Sequence, residues 1–286
     1  MTLFTVATVT KADVLTTIVN AFKAAGWSDV ASAPTTEWNV LKSQDAQGRP
    51  IFFQIRPYTG ANTTQNFNTT AYTGIAIRNV KNYTPNATPG SAGTFENSAW
   101  AFNDITLAAG SGNATSQIPL TTTDIKVYTN ITSTRGYVAV RWNSNASYST
   151  IQGGAFFVGI PDEIYINPDP RRAVILAGAV MTAVKGNDNP FEASINEGTA
   201  VVDYSISTVA TPKNPDLLNR FILSPIYIGI ASIGFTGKLD QIYYMPSVTV
   251  IGDGDIVVLN GVNYETIKIA NAFSGIAAGM YLCMPK

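Results

Sequence analysis

The chain has 286 residues, of which 45% are hydrophobic and only 13% are charged. An ordinary soluble domain carries about 25% charged residues, so the surface of this protein is close to uncharged. The 18 basic side chains nearly cancel the 19 acidic ones and leave a formal net charge of -1. This balance favours neither nucleic acid as a partner, which would call for a basic protein, nor a solvating acidic tail.

Histidine is absent from the sequence, and Cys283 is the single cysteine. Histidine is the side chain most used for proton transfer near neutral pH, and it is the commonest metal ligand. These omissions exclude Ser-His-Asp and Cys-His nucleophilic systems, zinc sites built from Cys and His, and an internal disulfide. Chemistry by carboxylates remains open, and we expect no cofactor.

The sequence predicts neither a secretion signal nor a membrane segment. Residues 1–10 lack the basic region and the continuous apolar core of a signal peptide. The longest apolar runs, residues 173–184 and 226–235, are interrupted by Gly, Thr or Ser. Both fall short of the roughly 18 residues that a transmembrane helix needs. We interpret both runs as buried strands.

The first periodic pattern predicts an amphipathic helix. Apolar residues recur at steps of three and four from Val14 to Ala25, after a candidate N-cap at Thr10 and before Gly26. Its polar side carries Lys11, Asp13, Asn20 and Lys23, so we expect the apolar stripe of the helix to lie on a sheet. This is the only helix that the sequence predicts.

After Trp27 the apolar period changes from about 3.6 to 2, which is typical of strands. A polar turn at residues 45–50 separates two such segments, the second at residues 51–58, and predicts a hairpin. We expect Pro57 to end it, because proline cannot donate a ladder hydrogen bond. Residues 59–123 are rich in Asn, Thr, Ser and Gly, yet they hold too many aromatic and β-branched residues for a disordered linker. We predict strands there, joined by loops at 83–93 and 110–117.

The rest of the chain also reads as strands. Asn260-Gly261 is a strong hairpin signal, because both central residues of a type I′ turn need positive φ. No helical segments alternate with the strands, so we predict a mainly β fold of antiparallel sheets, sandwich-like or barrel-like, with one N-terminal amphipathic helix. A polar break divides the prediction into an N-terminal helix plus β domain, residues 1–149, and a C-terminal antiparallel β domain, residues 150–286. The predicted strands lie at 124–130, 136–143, 155–160, 173–182, 200–207, 221–230, 237–245, 255–259, 264–269 and 280–284.

Two acidic residues on a glycine-containing turn, Asp253 and Asp255, are the most site-like group. Carboxylates on a flexible turn suit Ca²⁺, but a calcium site needs about six to eight oxygen ligands, and the sequence supplies no later ones in register. Asp203 and Asp240 would join only through tertiary folding. We therefore favour a plain turn and expect no metal site.

A second acidic group consists of Asp162, Glu163 and Asp169. Paired carboxylates are what glycoside hydrolysis requires. However, Asp162 follows Pro161 and Asp169 precedes Pro170, so the turn chemistry of Asp and Pro explains both without catalysis. We expect no catalytic residue and predict that the protein is not an enzyme.

Arg171 and Arg172 could clamp a phosphate or a carboxylate with their planar guanidinium groups. Without a wider basic field, a charged strand edge or salt bridges at an interface explain them better. The four tryptophans could form a platform for sugar rings, but isolated tryptophans at strand positions are more often core residues. They are Trp27, Trp38, Trp100 and Trp142.

Three stretches of the second half resemble structural proteins of tailed bacteriophage particles. They are Phe156–Pro161, then Leu223–Gly229 running on to Gly237–Tyr243, and finally Gly254–Tyr264. The last is similar to the "gDxi.i.g..Y" hairpin found near the end of virion and tail-associated proteins. The resemblance lies mainly in residues 155–270. Its motifs are structural, so no catalytic residue follows from it.

The resemblance implies a structural component of a tailed phage particle, in the tail, the baseplate or the neck. Such a protein acts through contacts with other virion proteins and with copies of itself, and it is located in the virion, assembled in the bacterial host cytoplasm. The sparse charge agrees, because interfaces deplete Lys, Glu and Asp while free monomers need charge to stay apart. Neither a membrane nor nucleic acid is expected as a partner. A capsid decoration protein and a carbohydrate-binding or receptor-binding module of a fibre remain alternatives.

Overall fold

The structure is a computed structural model of the chain. It describes residues 4–58, 74–106, 108–109, 116–117, 124–142, 153–165, 173–177, 191–195, 201–202, 223–230, 234–245, 251–269 and 280–286. Within these residues the fold is mainly β, with antiparallel sheets in a sandwich-like arrangement and one helix near the N-terminus, as the sequence predicts. Across the described segments, no helix is long and apolar enough to cross a membrane.

A turn of 3₁₀ helix at Lys11–Asp13 leads into helix α1, Val14–Ala24. The described strands are β1 Thr5–Val9, β2 Ser28–Asp29, β3 Asn39–Gln44, β4 Pro50–Tyr58, β5 Gly74–Thr84, β6 Thr94–Thr106, β7 Ala108–Ala109, β8 Ser116–Gln117, β9 Ile125–Ile131, β10 Arg135–Trp142, β11 Gly153–Gly159, β12 Glu163–Ile164, β13 Ala173–Ala177, β14 Phe191–Ile195, β15 Val201–Val202, β16 Ser224–Ile230, β17 Gly234–Met245, β18 Ile256–Leu259, β19 Val262–Ile269 and β20 Met280–Pro285.

Helix α1 begins and ends close to the predicted residues. Gly26 follows it with a positive φ of 96°, as a helix-terminating glycine requires. At the other end, the Thr10 carbonyl accepts a hydrogen bond from the Asp13 backbone N–H at 3.0 Å. The Thr10 hydroxyl donates to the Asp13 carboxylate at 2.6 Å and makes no capping bond with the backbone. The buried stripe of the helix is Val14, Leu15, Ile18, Val19 and Phe22.

The described strands form three large sheets, and the pairings among these strands are antiparallel. The central sheet has the order β1-β9-β10-β11-β13-β14-β15. The N-terminal sheet has the order β2-β3-β4-β5-β6. The C-terminal sheet has the order β12-β17-β20-β19-β18, with β16 paired to β17. The short strands β7 and β8 form a separate pair.

The central sheet lies between the other two. Successive side chains of a strand point to opposite faces. On β10, Val138 and Val140 face the hydrophobic core that the central sheet shares with helix α1 and the N-terminal sheet. The alternate residue Arg141 contacts Glu265 of the C-terminal sheet. At β10, both faces of the central sheet are therefore covered.

Phe22 of helix α1 is where the helix, the N-terminal sheet and the central sheet meet. Its ring centroid lies 4.7 Å from that of Phe53 on β4 and 6.4 Å from that of Phe156 on β11. A Cβ added at Gly136 on β10 would overlap the Phe22 ring. Full burial of a phenylalanine side chain contributes roughly 2–3 kcal/mol to the free energy of unfolding. The burial of Phe22 requires glycine at position 136, because the ring packs directly against that backbone.

The predicted hairpins are confirmed. Strands β3 and β4 pair across the turn at residues 45–49, where the Asp45 carboxylate accepts the backbone N–H of Arg49 at 2.8 Å. Strand β4 ends at Tyr58, as predicted. Pro57 does not end the strand, because a proline keeps its carbonyl acceptor, and it pairs opposite Ile75. Asn260 and Gly261 have φ of 50° and 77°, the positive values of the type I′ turn.

The predicted division between residues 149 and 150 lies outside the described residues, as do predicted strand residues 178–182 and 203–207 and most of the predicted loop at 110–117. The division falls between β10 and β11. These two strands pair with each other in the central sheet, where Tyr137 lies opposite Phe157. The two-domain division stays a prediction. The predicted loop at 83–93 corresponds to residues 85–93, between β5 and β6.

Candidate functional site

Two arginines on one face of β10, Arg135 and Arg141, lie at the junction between the central and C-terminal sheets. They are separated by an even number of residues, so their side chains point to the same face. Arg135 contacts the carboxylate of Asp162, in the segment after β11, and Arg141 contacts the carboxylate of Glu265, on β19 of the C-terminal sheet. Both carboxylates are mostly buried. We call these groups the Asp162 cluster and the Glu265 cluster.

The Glu265 cluster is centred on a carboxylate of β19 whose side chain is 5% exposed. One oxygen, Oε1, accepts hydrogen bonds from Arg141 Nη1 at 3.2 Å and from the Tyr128 hydroxyl at 2.8 Å. The other, Oε2, lies 3.1 Å from Lys286 Nζ. Burial alone would raise the pKa of Glu265, but the hydrogen bonds from Tyr128 and Lys286 and the charges of Lys286 and Lys126 outweigh burial and hold the pKa below the ordinary value. Glu265 is therefore an anion at neutral pH.

Arg141 also binds Asp253, which joins the turn before β18 to the central sheet. Its Nε donates to Asp253 Oδ2 at 2.6 Å, and its Nη2 donates to the Asp253 carbonyl at 3.3 Å. The neighbouring Gly254 has a φ of 86°, and a Cβ there would lie 2.5 Å from Arg141 Nη2. The close approach of the guanidinium thus requires glycine at this position.

Asp255, the second acidic residue of that turn, has a different role. Its Oδ2 accepts the backbone N–H of Gly252 at 2.6 Å, and the Thr266 hydroxyl donates to the Gly252 carbonyl at 2.7 Å. Asp253 pairs with Arg141, so the structure does not bring the two carboxylates together around one ion. Within the described ranges, no group of three or more Cys, Asp or Glu side chains could hold a metal ion.

The Asp162 cluster closes the other end of the junction. Asp162 follows β11, and its carboxylate accepts hydrogen bonds from the Tyr137 hydroxyl and from Arg135 on β10. It also accepts the backbone N–H of Asp240, on β17, at 2.8 Å. Burial and the Asp162 carboxylate raise the pKa of Tyr137 well above its ordinary value. Tyr137 therefore stays protonated and acts as a donor.

Glu163 belongs to a separate, more exposed group around Lys238 of β17. Lys238 Nζ lies 3.1 Å from Glu163 Oε1 and 2.7 Å from Asp240 Oδ1. The Tyr165 hydroxyl donates to Glu163 Oε2 at 2.8 Å. Hydrogen bonds from Tyr165 and Lys238 lower the pKa of Glu163. A glycosidase acid needs the opposite shift.

Asp162 and Glu163 are thus adjacent in sequence but paired with different cations, and they do not form one acid-base pair. The third member of the predicted acidic group, Asp169, lies outside the described residues. Asp203, Arg171 and Arg172 also lie outside them.

Glu37 is a buried carboxylate that the sequence analysis did not single out. It accepts the backbone N–H groups of Ser32 at 3.1 Å and Ala33 at 3.0 Å, and that of Gly93. The Tyr83 hydroxyl donates to it at 2.6 Å. Glu37 therefore fixes the segment before β3 to the loop between β5 and β6, which is a structural task.

A polar groove of about 460 Å³ lies between β1, helix α1 and the start of β9. Four threonines, Val9, Asn20, Asp13 and Asp124 line it. Its lining includes no aromatic ring, so it offers no stacking surface for a sugar.

The sequence analysis favoured core positions for the tryptophans, and the two whose side chains the structure describes, Trp27 and Trp38, belong to the core. Trp27 is buried and donates its indole N–H to the Thr132 carbonyl at 2.7 Å. Trp38 is partly buried and packs against the same core as Trp27. The side chains of Trp100 and Trp142 lie outside the described part. Cys283 is fully buried on β20, and burial raises the pKa of its thiol to about 12.

The sequence analysis missed the arginines and tyrosines of the two clusters. A usable signal was present in β10, where Arg135 and Arg141 bracket the apolar run Val138-Ala139-Val140. A charge within a strand that is covered on both faces needs a buried partner. That pattern could have predicted the existence of partners for both arginines, although not their identity.

The two clusters neutralise charge and link sheets within one chain. Their carboxylates accept hydrogen bonds from arginine and tyrosine, and Lys286 adds a third kind of donor at Glu265. This arrangement suits a rigid junction between sheets. No protein-family model and no curated protein matches the chain.

Proposed function

We propose that this protein is a structural component of a tailed phage particle, acting through subunit-subunit contacts in the tail, the baseplate or the neck. The observation that carries the proposal is the inward use of charge. In a chain with 13% charged residues, Arg135 and Arg141 pair with carboxylates at an internal junction. Because these arginines and carboxylates neutralise each other inside the chain, they add no ions to its exterior. Other subunits can therefore cover that exterior without removing water from these charged groups.

The placement of exposed apolar side chains supports the same proposal. Among the described residues, the exposed large hydrophobic side chains lie on edge strands or directly beside one. Edge strands present unpaired backbone groups to other chains, and isolated proteins usually guard them with charge or proline. The exposed side chains are Val6 on β1, Ile164 on β12, Tyr165 next to β12, and Ile256 and Val258 on β18.

The resemblance of residues 155–270 to virion and tail-associated proteins is the reason why we propose a tailed phage particle as the assembly. The function is then mechanical, since each copy occupies a symmetric position and holds its neighbours. Buried ion pairs join the central sheet to the C-terminal sheet, and a shared hydrophobic core joins it to the N-terminal sheet. Such a closely packed body deforms little, as a subunit under mechanical force requires. The partners are other virion proteins and further copies of this chain.

Labelling of intact particles tests the proposal. Particles purified from a host culture that carries the gene are analysed by mass spectrometry, and labelled Fab fragments against the chain are located by electron microscopy. We expect the chain in the particles and the label at the tail, the baseplate or the neck. Particles from a strain with a stop codon in the gene provide the control.

Two results would count against the proposal in different ways. Label over the head surface would favour a capsid decoration protein instead. A chain that is abundant in the lysate but absent from the purified particles would overturn a virion role altogether.

A further inference from the structure

Strand β18 is the last strand of the C-terminal sheet as the described segments define it, and it pairs with β19 on one side. Ile256 is 45% exposed and Val258 is 63% exposed, while Val257 between them is 9% exposed and belongs to the core that includes Tyr264. Residues 256–259 contain no charge and no proline. Charged residues and prolines are what usually keep an edge strand from pairing with another chain, and residues 256–259 have neither.

We propose that β18 pairs antiparallel with β18 of a second copy of this chain, about a two-fold axis that lies midway between Val257 and the partner's Val257. The pairing would extend the C-terminal sheet continuously from one copy into the next. This inference rests on the proposed function, because it names a surface through which copies of the chain contact each other.

The register follows from the two faces of the sheet. Directly opposed residues of antiparallel strands point to the same face. A two-fold axis perpendicular to the sheet must therefore set one residue directly opposite its own copy, since any other register would set a core side chain opposite an exposed one. With Val257 opposite the partner's Val257, Ile256 lies opposite the partner's Val258. With Val258 opposite its own copy, Ile256 would instead lie opposite the partner's Asn260, in the turn.

The charges near β18 allow this approach. The nearest ionised side chain along the strand is Asp255, and in the proposed register it lies opposite the partner's Leu259. The two Asp255 residues are then four positions apart along the strand, about 13 Å. This separation exceeds the screening length of about 8 Å at physiological ionic strength. The Asp255 carboxylate also accepts a hydrogen bond from its own Gly252.

The strand is already held in the shape that pairing needs. A type I′ turn fixes one end of the β18–β19 hairpin, and at the other end Asp253 is bound to Arg141. The Thr266 hydroxyl donates to the Asp255 carbonyl at 3.1 Å. A preformed strand loses little conformational entropy on binding. Strand β18 contributes only 4 residues, whereas a stable interface uses about 20–30 residues from each partner. The pairing therefore acts at high local concentration, as within an assembly.

Disulfide formation between two single-cysteine variants tests the register. Chains carrying Ile256→Cys and Val258→Cys are mixed in equal amounts at several hundred micromolar and oxidised. In the proposed pairing these two positions are directly opposed, with Cβ atoms about 5 Å apart, whereas identical positions lie on a diagonal at about 7–8 Å. We expect the mixture to form at least ten-fold more cross-linked dimer than either variant alone. Wild-type chain is the control, because its Cys283 is buried.

A charge variant gives a second measurement that does not depend on disulfide geometry. Val258→Lys places a lysine on β18, and the matched control Ala87→Lys places one at an exposed position of the loop between β5 and β6, away from any sheet edge. We expect Val258→Lys to weaken self-association in sedimentation experiments at least ten-fold, and Ala87→Lys to leave it unchanged. Equal effects of the two variants, or no excess cross-linking in the mixture, would overturn the proposed pairing.

These outcomes are separable from those of the particle experiment. If the chain is found in particles but the mixture does not cross-link, the β18 pairing is wrong and the virion role stands. If the mixture cross-links but purified particles lack the chain, the pairing stands and the virion role is wrong.

Discussion

Arg141 of the central sheet and Glu265 of the C-terminal sheet are 124 residues apart in sequence, yet Arg141 Nη1 lies 3.2 Å from Glu265 Oε1. Their side chains are only 12% and 5% exposed. Two ions withdrawn from water are tolerated only when their hydrogen bonds are satisfied. Asp253 supplies the second acceptor for Arg141, and Tyr128 supplies a further donor for Glu265. The completeness of the cluster makes the removal of any member costly.

Replacing the buried carboxylate tests this cost. Glu265→Gln keeps the shape of the side chain but leaves Arg141 with one anion instead of two. Removing one partner of a buried pair costs several kcal/mol, and we expect a loss of about 3 kcal/mol in the free energy of unfolding, measured by chemical denaturation. Glu163→Gln, at the exposed Lys238 group, is the matched control and should leave the unfolding midpoint unchanged. Equal shifts for the two variants would contradict the role of the Glu265 cluster.

The same residue predicts a dependence of stability on pH. The hydrogen bonds from Tyr128 and Lys286 outweigh burial and hold the pKa of Glu265 below its ordinary value of 4.5. A carboxyl group with a depressed pKa in the folded state adds stability above its unfolded pKa and loses it as the pH falls through the folded value. The difference in unfolding free energy between wild type and Glu265→Gln should therefore be constant above pH 4.5 and shrink below it. A difference that grows on acidification would mean that the pKa of Glu265 is raised in the folded protein, which would contradict this prediction.

Gly254 gives a steric test of the same contact. An alanine Cβ there would lie 2.5 Å from Arg141 Nη2, and the residue has a φ of 86°. Gly48→Ala is the control, because Gly48 has a similar φ of 75° but nothing within 4 Å of the added Cβ. The control carries only the backbone strain, about 1–2 kcal/mol. We expect Gly254→Ala to lower the free energy of unfolding by roughly a further 1–3 kcal/mol, because Arg141 must shift. Similar losses for both variants would show that the guanidinium moves away freely.

Cys283 reports on the integrity of the C-terminal sheet. Burial raises the pKa of its thiol to about 12, so almost no thiolate is present at pH 8. Because the thiolate is the nucleophile, folded protein should resist iodoacetamide, whereas unfolded protein should react fully. Labelling followed by mass spectrometry over a denaturant series should trace the unfolding transition. Rapid labelling without denaturant would mean that the thiol is accessible in the folded chain.

Local signals in the sequence predicted the local elements well. The spacing of apolar residues located helix α1, and the Asn260-Gly261 pair located its hairpin, because each pattern depends on neighbours within a few residues. Strand β1 was not predicted. Thr5–Val9 is short, and its partner β9 lies more than a hundred residues away, so nothing near it in the chain indicates pairing. The layering of three sheets is likewise set by distant contacts.

The candidate residues show the same limit. The turn interpretation of Gly252–Asp255 agrees with the hydrogen bond from Gly252 to Asp255, which is a local contact. The partner of Asp253, however, is Arg141, from a strand more than a hundred residues earlier. Burial of Glu265 depends on the packing of two sheets against each other, and its own neighbours in β19 give no indication of that. Ion pairs between residues far apart in the sequence therefore could not be predicted, because which residues pair depends on how the sheets pack.

The pairing of β1 with β9 places Thr5 opposite Thr129. Ribosomal synthesis releases β1 first, then every strand of the N-terminal sheet, and only afterwards the partner that β1 requires. Closing so long a loop is entropically unfavourable and slow. In chain order, the central sheet therefore gains its edge strand β1 only after every strand of the N-terminal sheet has been synthesised.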